Sequence, residues 1–326
     1  MNLKKIQNLP NTSTGRLLNV IRRFRGYSPL LLSACLSITY RCNLSCEFCY
    51  QAGKKKEAFP DMSVKDAVMI ERNIRGAFNF KPRIHLFGGE PTVNSDFVKI
   101  LKYFSQKNYR ISMTTNGVTL DKYVDELAAI GGLAEIIISL NNMDFKKILQ
   151  VPRLFEKYAH KRKARITIAC PVNHVNQNSL TDIVREFEDS HVNCIAIQHT
   201  TFMPHYDRAI DFNNIRRHTE EIKKTKYKIP VLFLPDIKSG DIEKYYNDPS
   251  FPCNRNKCIA PWIAPFIQPN GDVIPCDEVD IVMGNVKRQG LKKIWNNEKY
   301  MSFRDSIQKS GISHAICKRC CHRQYY

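Results

Sequence analysis

The chain has 326 residues, an apolar fraction of 43% and a formal net charge of +19, from 50 Lys and Arg against 31 Asp and Glu. Its length allows one large barrel-type domain with an appendage, or two ordinary domains, and its composition a well-buried core. The sequence contains neither a signal peptide nor an apolar run long enough for a membrane span. Twelve cysteines grouped by metal-ligand spacing exclude a secreted disulfide framework, so we expect a reducing cytoplasm.

Residues 1–34 form a basic N-terminal extension. They contain no acidic residue, and their basic residues alternate with apolar ones: Lys4, Lys5, Arg16, Arg22, Arg23 and Arg25. Such a segment could make peripheral contact with an anionic membrane, or be a basic helix leading into the next domain. The charge of the whole chain favours a substrate rich in phosphate or carboxylate, either a small molecule or a peptide, whereas nucleic acid is not the expected partner.

Between residues 35 and 226, short β-branched runs alternate with longer amphipathic ones. The runs predict strands over 36–40, 83–87, 110–115, 135–140, 165–169 and 194–198. They predict helices over 63–78, 95–107, 121–130, 145–160, 180–190 and 212–224. Ser63 with Asp66, Ser95 and Thr119 are the predicted helix caps. Six alternations indicate an α/β fold with a parallel sheet, whose ligands bind at the carboxyl ends of the strands.

Three cysteines follow the first predicted strand within eight residues: Cys42, Cys46 and Cys49. Three thiolates on one loop can ligate three irons of a [4Fe-4S] cluster and leave the fourth iron without a protein ligand. A zinc site would show four ligands, commonly as separated CxxC pairs.

The spacing of these cysteines, with Phe48 before the last of them, resembles the radical S-adenosylmethionine (SAM) superfamily. The resemblance implies a partial (β/α)6 TIM-type barrel in which Cys42, Cys46 and Cys49 are the metal ligands and catalytic residues. It also implies that SAM binds the open iron and is reductively cleaved to a 5′-deoxyadenosyl radical. A reductant such as flavodoxin or ferredoxin would supply the electron.

Polar residues follow three of the predicted strands. Gly88-Gly89-Glu90 follows the second strand, and two glycines let the backbone approach a ligand closely. In the radical SAM family this segment binds the amino group of SAM, and the ends of the next two strands contact its ribose or carboxylate. The resemblance therefore adds Gly88, Gly89, Glu90, Asn116 and Ser139, with Phe48, as cofactor-binding candidates. At single positions, an ordinary turn or cap explains Asn116 and Ser139 equally well.

After residue 226 prolines accumulate and the alternation stops, which predicts a small irregular domain over 227–326. Six cysteines lie in it: Cys253, Cys258, Cys276, Cys317, Cys320 and Cys321. Residues 268–272, Gln-Pro-Asn-Gly-Asp, predict a tight hairpin turn between two apolar runs. The spacing resembles the SPASM and Twitch extensions of radical SAM enzymes, and implies one auxiliary [4Fe-4S] cluster.

The preferred auxiliary ligands are Cys258, Cys276, Cys317 and Cys320, with Cys253 and Cys321 as competitors. A structural zinc ion is the alternative. Cys35, Cys170 and Cys194 lie in or beside strands and are expected to pack in the core. Cys170 or Cys321 could instead return a hydrogen atom to a substrate radical.

Three classes of function remain open. The favoured prediction is a radical SAM enzyme of oxidoreductase type that acts on a small metabolite: a sugar, a cyclitol or a lipid. The alternative is a maturase that modifies a ribosomally made peptide or protein, for which no leader-binding module is evident in the sequence. The third is a non-enzymatic iron-sulfur electron carrier or nucleic-acid-binding protein.

Overall fold

The computed structural model describes residues 26–49, 51, 59–78, 80–141, 148–152, 164–199, 210–248, 251, 258–310 and 317. The basic extension up to residue 25, and the candidates Cys253, Cys320 and Cys321, lie outside the described residues. None of the described helices is both long and apolar enough to cross a membrane.

The described residues form one sheet with helices along it. The strands are β1 (Ser33–Ser37), β2 (Arg83–Phe87), β3 (Ile111–Thr115), β4 (Leu133–Ser139), β5 (Arg165–Val172), β6 (Cys194–His199), β7 (Val231–Leu234), β8 (Phe266–Ile267), β9 (Asp272–Ile274) and β10 (Gly284–Asn285). The helices are α1 (Val64–Ala77), α2 (Phe97–Gln106), α3 (Val124–Ala129), α4 (Leu180–Glu188), α5 (Phe212–Lys224), α6 (Ile242–Asn247), α7 (Ala260–Ile263), α8 (Leu291–Trp295) and α9 (Glu298–Ser310). Single 3₁₀ turns cover Pro91–Val93, Leu120–Tyr123 and Ser239–Asp241.

Strands β1 to β7 are parallel and adjacent in chain order, with helices between them, as in a partial (β/α)6 barrel. The predicted fold class is therefore confirmed. The sheet runs β10-β9-β8-β1-β2-β3-β4-β5-β6-β7, and among the described strands β7 and β10 are its two edges. The barrel is open because no described strand joins them.

The parallel sheet continues beyond residue 226, the predicted end of the barrel domain. Strand β7 pairs in parallel with β6, in the register Ile195 with Val231. On the other side, β8 pairs in parallel with β1 and antiparallel with β9. The proline-rich composition hid both elements, because β7 has four residues between prolines and β8 has only two.

Helix α1 begins as its sequence predicts. The Ser63 hydroxyl accepts a hydrogen bond from the Asp66 amide at 3.2 Å, and the Asp66 carboxylate accepts one from the Ser63 amide at 2.9 Å. This reciprocal capping box satisfies two amides that the first turn leaves without partners.

The predictions that Ser95 and Thr119 cap helices are wrong. Helix α2 has Asp96 at its N-cap position, and the Asp96 carboxylate accepts a hydrogen bond from the Val64 amide of α1 at 3.2 Å. Thr119 precedes a 3₁₀ turn without capping it, and its hydroxyl contacts the Thr92 hydroxyl at 2.7 Å. In place of a local cap, the Asp96 carboxylate bonds to helix α1 and the Thr119 hydroxyl contacts Thr92.

The two faces of the sheet differ in polarity. Along β1 to β6, alternate residues are buried and apolar, among them Leu36, Ile84, Leu86, Ile136 and Ile168. Residues of the opposite parity are often polar and half-buried, and we assign them to the interior of the open barrel. Across β2 and β3 they include His85, whose ring nitrogens contact the Ser112 hydroxyl at 2.9 Å and the Thr114 hydroxyl at 3.2 Å.

Arg304 of α9 is fully buried and joins the C-terminal part of the chain to the segment before β1. Its guanidinium donates to the carbonyl oxygens of Gly26 at 3.1 Å and Pro261 at 2.7 Å. The rings of Trp295 and Tyr300 lie 4.3 Å and 4.2 Å from its central carbon, as cation–π contacts. Burial lowers the pKa of Arg304 to about 10, far above neutral pH, so the side chain remains charged.

His199, at the end of β6, makes the fold sensitive to acid. Its side chain is fully buried, Nδ1 lies 3.1 Å from the Tyr246 hydroxyl, and burial lowers its pKa to about 4 from an ordinary value of 6.5. Below pH 6.5 the His199 ring is therefore protonated in the unfolded chain, whereas in the folded chain it stays neutral down to about pH 4. The contribution of the neutral ring to the free energy of unfolding is fully present above pH 6.5. It is lost as the pH falls through this window, by about 3 kcal/mol in total.

We predict that His199→Gln flattens this pH dependence, because glutamine does not titrate. Urea unfolding between pH 7.5 and 4.5 measures it. The control is His191→Asn at an exposed position with φ of 57°, which asparagine tolerates; it should follow the wild-type curve. Equal acid sensitivity in His199→Gln and wild type would contradict the assignment.

Candidate functional site

The loop that carries Cys42, Cys46 and Cys49 leaves the carboxyl end of β1, where ligands of such sheets bind. All three side chains are half-buried. The Cys49 amide donates to the Cys46 carbonyl at 3.1 Å, which closes a turn between the last two cysteines. Phe48 is half-buried in this turn.

The Cys42 side chain contacts polar groups of its own loop and of the segment after β3. Its Sγ accepts from the Leu44 amide at 3.4 Å and lies 3.8 Å from Asn116 Nδ2, which also donates to the Asn43 side chain at 2.7 Å. Asn116, predicted from its place after β3, is thus brought to the cysteine loop.

Gly88 and Gly89 lie directly against the backbone that leads to Cys42. A Cβ atom at Gly88 would overlap the Thr39 carbonyl oxygen, and one at Gly89 the Arg41 carbonyl oxygen. The Gly89 amide donates to the Thr39 carbonyl at 2.8 Å, and the Glu90 amide to the Arg41 carbonyl at 2.9 Å. Only glycine fits this approach, which extends the β1–β2 ladder up to the cysteine loop.

The Glu90 carboxylate is fully buried and accepts four hydrogen bonds from protein groups. Oε1 accepts from the Thr92 amide at 3.1 Å and from the Thr92 and Thr115 hydroxyls, both at 2.7 Å. Oε2 accepts from the Asn116 amide at 2.7 Å. Glu90 therefore holds the ends of β2 and β3 together, a role that the sequence did not reveal.

Other polar groups connect the cysteine loop to the rest of the barrel. Arg41, next to Cys42, forms an ion pair with Asp61, and its guanidinium donates to the Val93 carbonyl at 3.0 Å. Glu47 lies 4.0 Å from His174, which follows β5. By contrast, the Ser139 hydroxyl donates to Asn141 at 3.0 Å, so this predicted residue is engaged locally.

The predicted hairpin of the C-terminal region is present. The Gly271 amide donates to the Gln268 carbonyl at 2.8 Å, and Gly271 has φ of +89°, as a tight turn of this kind requires. Cys276 follows β9 by two residues, and Cys258 precedes α7. Both are half-buried, like Cys317. As predicted, Cys35, Cys170 and Cys194 are buried in the core.

The side chains of the first loop fit a [4Fe-4S] cluster, because three thiols that can ligate iron lie within eight residues. One of them, Cys42, also accepts a hydrogen bond from a backbone amide. In the part of the chain that the structure describes, no group of three His, Cys, Asp or Glu side chains is gathered as a finished metal site. The argument for a cluster therefore depends on the chemical identity of the three cysteines and on their place in one loop.

We predict that Glu90→Gln destabilises the protein by about 1–3 kcal/mol, because a carboxamide nitrogen cannot accept the hydrogen bonds that a carboxylate oxygen accepts. Urea unfolding under anaerobic conditions measures the change. Glu135→Gln is the control: the hydrogen bond that Glu135 accepts from the Thr167 hydroxyl survives the substitution, and the lost ion pair with Arg83, 3.9 Å long and partly exposed, is expected to contribute little. If both variants unfold at the same urea concentration, Glu90 does not brace the site.

Two curated relatives show how this chain compares with known proteins. A probable GTP 3′,8-cyclase of Methanococcus maripaludis is 35% identical over 127 residues, which cover 37% of this chain and 41% of that protein. The chain thus matches about two-fifths of the length of that relative. The AdoMet-dependent heme synthase of Methanosarcina barkeri is 23% identical over 318 residues, 88% of this chain and 90% of that protein.

Among solved structures, SuiB of Streptococcus suis bound to S-adenosylmethionine has a TM-score of 0.66 at 17% identity, and covers 86% of this chain and 68% of SuiB. SuiB bound to its precursor peptide SuiA has a TM-score of 0.67 at 16% identity, and covers 90% and 71%. At this level of identity the likeness concerns the fold.

The prediction of a sugar, cyclitol or lipid substrate is wrong. The curated relatives are named for GTP and for heme, and the SuiB structure contains a peptide. The prediction depended chiefly on the expected number of auxiliary clusters, and a cluster count does not identify a substrate.

Two family profiles match the chain. The radical SAM superfamily matches residues 36–162, and the SPASM iron-sulfur cluster-binding domain matches residues 258–321. Together they imply a SAM-binding [4Fe-4S] cluster, SAM itself and an auxiliary iron-sulfur cluster. The chain belongs to the radical SAM superfamily and carries a SPASM-type auxiliary cluster domain at its C-terminal end.

Proposed function

We propose that this protein is a radical SAM maturase that modifies a peptide or protein substrate in the cytoplasm, where thiolate ligands stay reduced. The observation that carries the proposal is the joined site at the ends of β1, β2 and β3, where the cysteine loop, the glycine pair and Asn116 meet. When bound, the cluster and SAM supply a 5′-deoxyadenosyl radical that abstracts a hydrogen atom from the substrate.

Each part of the site has a role in this proposal. Cys42, Cys46 and Cys49 hold the first cluster, and Asn116 orients their loop by its contacts with Cys42 and Asn43. Gly88 and Gly89 keep the β2 end close to the loop, and Glu90 is a positioning residue because its carboxylate is buried. Phe48 and Ser139 are proposed to border the SAM site. Enclosure matters because a primary radical would otherwise attack solvent or protein.

The substrate is proposed to enter the open barrel from the carboxyl ends of the strands. The interior carries groups that can bind a peptide backbone or polar side chain: His85 with Ser112 and Thr114 on β2 and β3, and Glu135 with Thr167 on β4 and β5. Peptide substrates are favoured because SuiB, a fold neighbour over 90% of this chain, is solved with a precursor peptide. A net charge of +19 suits an acidic peptide.

A second candidate is the modification of a carboxylate-bearing tetrapyrrole. It is favoured by one observation, the similarity to a heme synthase over 90% of that protein's length. Incubation of the loaded enzyme with peptides encoded beside its gene, and separately with iron tetrapyrrole precursors, distinguishes the two candidates. A mass change in the peptide supports the maturase, and heme absorbance supports the second candidate.

We predict that Cys46→Ala abolishes the formation of 5′-deoxyadenosine from SAM under dithionite and lowers the iron content by one cluster, because two thiolates do not hold the cluster stably. Chromatography of the nucleoside and iron analysis provide the measurements. Cys194→Ala, which removes a buried core cysteine, should keep both the iron and SAM cleavage. Wild-type protein that forms no 5′-deoxyadenosine would refute the proposed activity.

We propose further that the modification is an oxidation, in which the auxiliary site accepts the second electron. Cys258, Cys276, Cys317 and Cys320 are the proposed auxiliary ligands. Replacing Cys317 and Cys320 together with alanine should then abolish the modified product while 5′-deoxyadenosine still forms. Product formation at the wild-type rate by this double variant would exclude the electron-accepting role.

A further inference from the structure

The exposed side of α1 and α8 carries positive charge beside the cysteine loop. We define the basic face by its exposed arginines and lysines: Arg41, Lys65, Arg72, Arg288, Lys292 and Lys293. Residues 284–297, which cover β10, the following turn and α8, contain four basic residues and no acidic one. This composition leaves that segment with a local charge of one sign.

Specific contacts hold the parts of the basic face together. The Asn73 side chain of α1 accepts a hydrogen bond from the Leu291 amide, the first residue of α8, at 3.1 Å. Lys287 forms an ion pair of 2.8 Å with Asp66 in the first turn of α1. These contacts hold α1 and α8 in fixed positions, so their basic residues lie on one surface.

Apart from Arg41, which pairs with Asp61, the charges of the basic face are not neutralised within the part of the chain that the structure describes. Lys65, Arg72, Arg288, Lys292 and Lys293 make no ion pair with the described acidic side chains, whereas Lys287 and Arg75 have Asp66 and Glu71. Unpaired charges of one sign on a rigid surface attract an oppositely charged macromolecule and speed its docking.

The Arg41 end of the basic face lies beside the first cysteine of the loop. Arg41 immediately precedes Cys42, and its side chain is 53% exposed while it pairs with Asp61. Asp61 also accepts a hydrogen bond from the Thr39 hydroxyl at 2.6 Å, which fixes this end of the face to the strand that leads to Cys42. A partner seated on the basic face would therefore be next to the cysteine loop.

We propose that the basic face is the docking site of an acidic one-electron carrier protein, which delivers the electron that SAM cleavage consumes. This inference rests on the proposed function, because only that reaction requires the electron. In the step, the carrier is oxidised by one electron and the centre held by Cys42, Cys46 and Cys49 is reduced by one. The residues of the basic face act by binding and orienting the carrier and take no part in the chemistry.

The test measures the affinity of the cofactor-loaded protein for a flavodoxin, as the acidic probe, by titration calorimetry at low and at high ionic strength. The variant is Arg288→Glu, Lys292→Glu and Lys293→Glu together. The control reverses three exposed lysines beside β7, at the other edge of the sheet: Lys224→Glu, Lys226→Glu and Lys238→Glu. Both variants change the net charge equally.

We expect the face variant to bind flavodoxin at least about tenfold more weakly at low salt, and the control variant to stay near wild type. The difference should shrink at high salt because the charges are screened. Formation of 5′-deoxyadenosine with dithionite should be unchanged in both variants, since this small reductant needs no docking.

Equal losses in the two variants, no loss in the face variant, or no binding by the wild type would overturn the proposal. So would RNA that displaces flavodoxin from the wild type and fails to bind the face variant, because the face would then serve nucleic acid. A wild type that binds flavodoxin but forms no 5′-deoxyadenosine with dithionite contradicts the proposed function while leaving the docking surface in place. The two failures are therefore distinguishable.

Discussion

The contact between the backbone of residues 38–41 and that of residues 87–90 is the constraint on which the site depends. Beyond the last paired residues of β1 and β2, the two chains stay hydrogen-bonded through the amides of Gly89 and Glu90. No side chain larger than hydrogen fits at Gly88 or Gly89. The cysteine loop therefore starts at a position that the sheet itself determines.

The Glu90 carboxylate transmits this constraint to the next strand. Both oxygens of this buried group are satisfied by four donors, which belong to Thr92, Thr115 and Asn116. Asn116 in turn contacts Cys42 and Asn43. Three strand ends are thus joined at one residue, since the Glu90 amide bonds to the β1 end and the Glu90 carboxylate to the β3 end. A displacement of any one of them would shift the first cysteine.

The sequence predicts the repeating part of the fold well. Strand β2 and helix α5 have the predicted bounds, because alternation and amphipathic period act over whole elements. Strand β1 begins and ends three residues early. Residues 38–40 continue the β-type composition of the run, yet the Thr39 carbonyl bonds to the Gly89 amide and the segment leaves the regular ladder. Of the predicted helix over 145–160, the described residues 148–152 are helical.

What the sequence does not predict depends on contacts between distant residues. The cysteine and glycine motifs indicate the chemistry of the site. Nothing in the sequence indicates that the Glu90 side chain is buried against β3, or that the Asp96 carboxylate bonds to the first turn of helix α1. The polar ladder around His85 has a signal in the alternation of β2 and β3, which becomes informative only once their register is known. The substrate is not predicted either, because the motifs and the cluster ligands identify the cofactors and carry no information on the molecule that is modified.

The pairing of β8 with β1 has a consequence for the independence of the two cluster regions. The first hairpin of the auxiliary cluster module completes the edge of the strand from which the first cluster loop departs, and Arg304 anchors the module to the residues before that strand. Loss of the module would remove the strand beside β1 and the anchor of the residues before it, so the first cluster loop would depart from an unsupported sheet edge.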